Sequence, residues 1–178
     1  MSAKTPLERV QESERLLERL MLEIPGFRGY QVREQRREAD RIVRNHLYSL
    51  LERARDSLMR CFQMLNDSRI EELSEPMNQL IASLDRVAEK VNRASYGYAG
   101  FFDSVRIDAA QLDKMLTYDS QLMDMARKCV ESASTFETSL SQNKFEDARV
   151  MEQNLQNSIN QLEVAFDGRK AVIEDVEV

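Results

Sequence analysis

The chain has 178 residues, a length that suits one ordinary domain burying roughly 70% of its unfolded surface. Five glycines, three prolines and no tryptophan, set against abundant Leu, Met, Glu, Arg, Gln and Ala, favour helix throughout. The net charge of −6 divides into +3 over residues 1–60 and −9 over residues 61–178, a distribution too weakly basic for a dedicated nucleic-acid-binding domain.

The first helix opens at Thr5-Pro6-Leu7-Glu8, where Thr5 caps, Pro6 takes the first helical position and Glu8 completes a capping box. Leu7, Val10, Leu17, Met21 and Ile24 mark its apolar face, and Pro25-Gly26 ends it. The second helix is expected over about residues 31–65, with Val32, Ala39, Val43, Leu47, Leu50, Ala54, Leu58, Phe62 and Leu65 on one stripe.

The third helix begins near Ser68 with Glu71, or at Ser74 just before Pro76. From there Leu73, Met77, Leu80, Leu84, Val87, Val91 and Ala94 recur in alternating steps of four and three, a seam that suits coiled-coil-like packing in a bundle. Asp108 with Gln111 starts the fourth helix, whose seam runs Leu112, Met115, Leu122, Ala126, Cys129, Ala133, Phe136 and Leu140. Asp119 interrupts this seam. The reading favoured here lets the stripe drift so that Asp119 is exposed; the alternative buries it beside Arg37, Arg41 or His46. Ser141-Gln142-Asn143 forms the last turn, and Phe145, Ala148, Met151, Leu155, Ile159, Leu162, Phe166 and Ile173 define a fifth helix.

These elements make one domain over residues 1–178: an all-α, up-down antiparallel bundle of about five helices, one short and four long. Residues 168–178 are expected as a frayed acidic end. Brief connections make consecutive helices antiparallel neighbours, and this places the first and third connections at one end. Those two connections hold Gly26, Gly29, Gly97 and Gly100 and six of the twelve aromatic residues: Phe27, Tyr30, Tyr96, Tyr98, Phe101 and Phe102.

Chemistry is sparse. His46 is the single histidine, and Cys61 and Cys129 lack metal-ligand spacing, so neither a di-iron centre nor a zinc site can be assembled from the sequence. No phosphate-binding glycine motif occurs. No cofactor or metal is expected, and the reading leans away from an enzyme. With no apolar run approaching about 20 residues and no signal-peptide pattern, the expected location is the cytoplasm.

Arg33, Arg37, Arg41 and Arg44 recur at helical spacing and place four guanidinium groups on one face, a weak candidate for anion binding. Glu34, Glu38 and Asp40 lie between them and supply local partners. At the glycine-rich end, Phe27, Arg28, Tyr30, Tyr96, Tyr98, Phe101, Phe102 and Asp103 form either a lid that seals the bundle or a surface that docks a partner.

The signatures Ile24-Pro-Gly-Phe-Arg-Gly-Tyr30, Arg36-Arg-Glu-Ala-Asp40 and Ala94-Ser-Tyr-Gly-Tyr-Ala-Gly-Phe-Phe-Asp103 resemble an uncharacterised family of small all-helical prokaryotic proteins. The resemblance implies a cytoplasmic helical protein acting with other proteins, and it carries no activity, cofactor or catalytic residue. The preferred expectation is therefore a non-catalytic adaptor or assembly bundle docking partner proteins at its aromatic-glycine end. A small-molecule or anion-binding protein with a pocket between the loops and the Arg33–Arg44 face is the alternative, and nucleic-acid or acidic-membrane binding is the third reading. Homo-oligomerisation through the regular seam is left open.

Overall fold

Apolar residues at steps of three and four commit each segment to burying one stripe, and the stripes read from the sequence close the core, except that on the first helix Met21 is exposed and Leu20 is buried in its place. The computed structural model describes residues 6–29, 36–94 and 109–174. Among these, the chain forms five α-helices: α1 (Pro6–Glu23), α2 (Arg36–Asp67), α3 (Ser74–Arg93), α4 (Ala109–Ser141) and α5 (Ala148–Glu174). Leu73, Met77, Leu80, Leu84, Val87 and Val91 are all at most 4% exposed, so the regular seam of α3 is satisfied within the chain.

Helix ends follow local chemistry. The Ile70 amide donates to the Leu65 carbonyl and Arg69 adopts φ 56°, a left-handed cap that stops α2. Asn143 (φ 57°) closes α4 in the same way, with the Lys144 amide donating to the Ser139 carbonyl. A 3-10 turn, Glu71–Leu73, leads into α3, so Ser74 rather than Ser68 begins it. Pro76 then falls in the first turn, where a missing N–H breaks no helical bond.

Cross-helix pairs fix the directions. Asp40 and Asp119 share Arg169 near one end, while Arg60 of α2 meets Glu137 of α4 further along, so α2 and α4 run parallel. Arg86 and Lys90 of α3 reach Glu163 and Asp167 of α5, and that pair is parallel too. α2 also packs on α3, and α4 on α5, each antiparallel through a short turn. The four long helices therefore alternate in direction, but around the bundle the order is α2, α3, α5, α4, with α3 and α4 on a diagonal. Consecutive helices were expected to be neighbours throughout. The stretch between Ala94 and Ala109 is longer than the other inter-helix turns among the long helices, and a long connection allows a diagonal step.

The short helix also departs from the expected alternation. Arg19 reaches Ser120 and Asp124, and Glu23 meets Arg127, so α1 runs parallel to α4 along its N-terminal half. Leu20, Ile24 and Phe27 are 0–2% exposed and pin this segment to the core. The chain then folds back along α1. Gly29 makes this possible with φ 82° and a position where a Cβ would lie 2.9 Å from Leu17 Cδ1. The start of α2, the end of α3, the start of α4 and the end of α5 all gather at this end of the bundle. No helix among the described residues is long and apolar enough to cross a membrane.

Candidate functional site

The residues expected to carry function separate into different environments. Phe27 is 2% exposed and belongs to the core rather than to a docking surface. Arg28 is exposed and has no carboxylate partner among the described residues; it lines a hollow of about 310 Å³ with Gly26, Gly29, Glu38, Ala39 and Ile42. Tyr30, Arg33, Tyr96, Tyr98, Phe101, Phe102 and Asp103 lie outside the described residues, as does the side chain of Arg37.

The expected arginine face does not hold together. Arg41 turns to Glu38 on the surface, donating at 3.0 and 2.6 Å. Arg44 is only 4% exposed and donates from Nε to Asp40 Oδ2 at 2.9 Å. A guanidinium sequestered in this way cannot reach an external phosphate.

Asp40 leads to a buried charge network that joins three helices. Its second oxygen accepts from an Arg169 terminal nitrogen at 2.6 Å, while Arg169 Nε donates to Asp119 Oδ1 at 2.7 Å. All four side chains, of Asp40, Arg44, Asp119 and Arg169, are at most 5% exposed. Among the described residues the network holds two positive and two negative groups. Asp119 is thus buried, not exposed as favoured from the sequence, and among the described side chains Arg169 of α5 is its partner, while the side chain of Arg37 lies outside the described residues. The same network anchors α5 past Gly168, so the end expected to fray from residue 168 is held at Arg169. Next to it, the Tyr118 hydroxyl donates to the Ala165 carbonyl at 2.7 Å, and Gly168 leaves room for that hydroxyl.

An open groove of about 750 Å³ lies between α1, α2 and α4. Leu50 and Val130 line its apolar part, and Arg15, Arg19, Arg53 and Arg127 surround it together with Glu18, Glu23, Glu131 and His46. Arg127 is held by Asp124 and by Glu23, at 3.2 Å from Nε to Oε1. The same Glu23 oxygen is buried, sits 3.9 Å from His46 Nε2, and accepts no well-formed hydrogen bond. Arg19 is tied to Asp124. Arg15 and Arg53 have no carboxylate partner among the described residues. At the rim, Leu22 is 90% exposed.

Burial pushes the His46 pKa below its ordinary 6.5; Glu23 opposes this, while Arg127 and Arg53 add to it. The folded chain therefore binds this proton less readily than the unfolded chain does. Its contribution to stability is intact above about pH 6.5 and is lost progressively as the pH falls below that value through the lowered folded pKa. Replacing His46 by Gln should flatten the loss of stability between pH 7 and 5 in urea titrations; an unchanged slope contradicts the assignment. The two thiols offer no nucleophile at neutral pH, since burial pushes Cys61 up to about 12 and Cys129 up to about 11. Among the described residues, no group of three or more His, Cys, Asp or Glu side chains is placed to hold a metal ion.

Sequence reasoning missed the groove, because its charged residues come from three helices whose mutual direction the pattern did not give. It also missed Arg169, although this residue continues the α5 stripe Leu155, Ile159, Leu162, Phe166 in the same steps of four and three. No family model matches the chain, and neither a curated protein nor a solved structure shows similarity to it.

Proposed function

We infer that the protein is a non-catalytic helical-bundle adaptor or assembly module, and that it docks a partner protein in the groove between α1, α2 and α4. The observation that carries this reading is Leu22, almost fully exposed at the rim of an open groove with an apolar part at Leu50 and Val130. An exposed large apolar side chain beside a concavity marks an interaction site more often than a lone surface leucine does. Arg15 and Arg53, without carboxylate partners among the described residues, supply the polar half of the recognition. The fitting partner segment therefore combines an apolar side chain with carboxylates. A cytoplasmic setting, supported by the two free buried thiols, belongs to the same proposal.

The test is capture of partner proteins by tagged wild type and by the Leu22→Asp/Arg53→Glu double variant, with Gln63→Glu on the exposed side of α2 as control. Proteins recovered by wild type and the control should drop at least tenfold with the double variant, whose circular dichroism should be unchanged. Equal recovery by all three removes the groove from the reading.

Convergence of Arg53, Arg127 and His46 favours a second reading, in which the groove holds a small carboxylate- or phosphate-bearing ligand. Glu18, Glu23 and Glu131 around the same groove weaken it, because they largely cancel the positive field. Nucleic-acid or membrane binding along the arginines of α2 is weaker still, given the burial of Arg44.

A further inference from the structure

Among the described residues one buried side-chain oxygen accepts no hydrogen bond: Glu23 Oε1, at the wall of the α1–α2–α4 groove. Buried acceptors are nearly always satisfied, so an orphan beside a candidate site raises the question of which donor completes it. Two donors stand near. Arg127 Nε lies 3.2 Å away, but it donates to the Met123 carbonyl of its own helix at 3.4 Å, and a terminal nitrogen of the same guanidinium is held by Asp124. The other is His46 Nε2, 3.9 Å away, on a ring that makes no hydrogen bond among the described residues.

The ring needs about 1 Å of movement to reach ordinary hydrogen-bond distance from Glu23. A proton supplies the reason to move. Neutral imidazole carries one N–H, whereas the protonated ring carries two and a positive charge, so either nitrogen can then donate to a carboxylate. Among the described residues, the charged groups acting on the ring are Glu23 from α1, Arg53 from α2 itself and Arg127 from α4, with none from α3. Glu23 favours the proton, while burial and the two arginines oppose it.

Charge in the groove is balanced closely enough for one proton to matter. Four arginines and three glutamates line it, and Asp124 is tied to two of those arginines, so four positive groups meet four negative ones while His46 is neutral. A carboxylate arriving there gains little from the net field. Protonation of His46 tips the balance to one positive charge, in the same groove that Arg53 and Leu50 line. The arriving carboxylates stay ionised down to about pH 4.5.

We propose that docking in the groove is proton-gated: His46, once protonated, closes onto Glu23 Oε1 and leaves the groove one charge more positive, so that a carboxylate-bearing segment is held more tightly at pH 5.5 than at pH 7.5. This rests on the docking reading above and adds its regulation. By linkage, a bound carboxylate that favours the protonated ring gives the docked chain the higher proton affinity at His46. The gain in affinity is present below the free chain's midpoint and is lost as the pH rises through the docked chain's midpoint. Covering the ring without bringing it a counter-charge gives the opposite slope.

His46 is the chain's single histidine, so NMR titration of the full chain reads its midpoint from the ring proton resonances directly. The probe is a tripeptide blocked at both ends, with leucine between two glutamates. It should bind about threefold or more tighter at pH 5.5 than at pH 7.5, and at saturation it should raise the His46 midpoint. His46→Gln should remove the pH dependence, and Glu23→Gln should lower the midpoint of the free chain. A midpoint that the probe leaves in place or lowers overturns the proposal, as does a pH dependence that survives in His46→Gln; the docking reading stands in either case. An unmoved midpoint in Glu23→Gln overturns it as well, since the ring then does not answer to Glu23. A probe that fails to bind even at pH 5.5 also overturns it, and the partner capture at neutral pH then decides the docking reading separately.

Discussion

Replacing Asp119 by Ala is expected to destabilise the protein by about 3–5 kcal/mol, the usual cost of stripping one partner from a buried ion pair. The reason lies in what remains. Arg169 is 2% exposed, so its charge cannot be rehydrated when the Asp119 carboxylate is removed. Carrying the substitution into an Arg169→Met background removes the stranded charge, and most of the loss should disappear. Arg44 then keeps Asp40 to itself, as one neutral pair. Urea denaturation of the wild type, the two single variants and the double variant gives the coupling directly. As a contrast, Asp85→Ala breaks the partly exposed Arg55–Asp85 pair and should cost no more than about 1 kcal/mol. Equal costs for Asp85 and Asp119 would mean that the network is wetter than the structure has it.

Phe27→Ala should also cost about 3–5 kcal/mol, the range for truncating a buried aromatic side chain. Its loss should not be felt evenly. Phe27 lies on the segment that reverses the chain after α1, and with Leu20 and Ile24 it holds α1 against the rest of the bundle. Hydrogen exchange should therefore show α1 losing protection while the centres of α2 to α5 keep theirs. Because α1 forms one wall of the groove, the same variant should lose whatever docks there. Uniform loss of protection would instead place Phe27 in the cooperative core of the whole bundle.

The contrast between these two residues shows how much of the molecule was legible. The stripes of α2 to α5 and the bundle class followed from apolar periodicity, since a helix that buries one face must repeat at three and four. Asn143 announced its own turn because a short polar side chain tolerates a left-handed backbone. Periodicity is blind to neighbours, however. It does not say that α3 and α4 sit diagonally, or that α1 runs with α4 instead of against α2, because those choices depend on connections and on pairs such as Arg19–Asp124 and Glu23–Arg127.

The buried network was half visible. Asp119 broke the α4 seam, but a single acid on a stripe reads equally as drift. The decisive signal was a second charge of opposite sign on another seam. Arg169 stood at that position, one step beyond Phe166, and Asp40 beside Ala39 supplied the third. Charged residues that fall on apolar registers of different helices, with opposite signs, are best read together and not one at a time.

The candidate site shifted for a related reason. Glycines and aromatics near residues 26–30 and 95–103 drew attention to the stretches whose sequence reads as least helical, and Phe27 has proved to be a core anchor. The groove beside α1 carried no comparable mark, since Leu22, Arg53 and Val130 are ordinary helix residues until three helices bring them together. The most direct measurement is site-specific photo-cross-linking in cells, with the probe placed at Leu22 in one variant and at Tyr98 in another. Cross-linked partner protein should form from position 22 and fall away when Arg53→Glu is added. Cross-links from position 98 alone would return the docking surface to the aromatic-glycine end and contradict the groove.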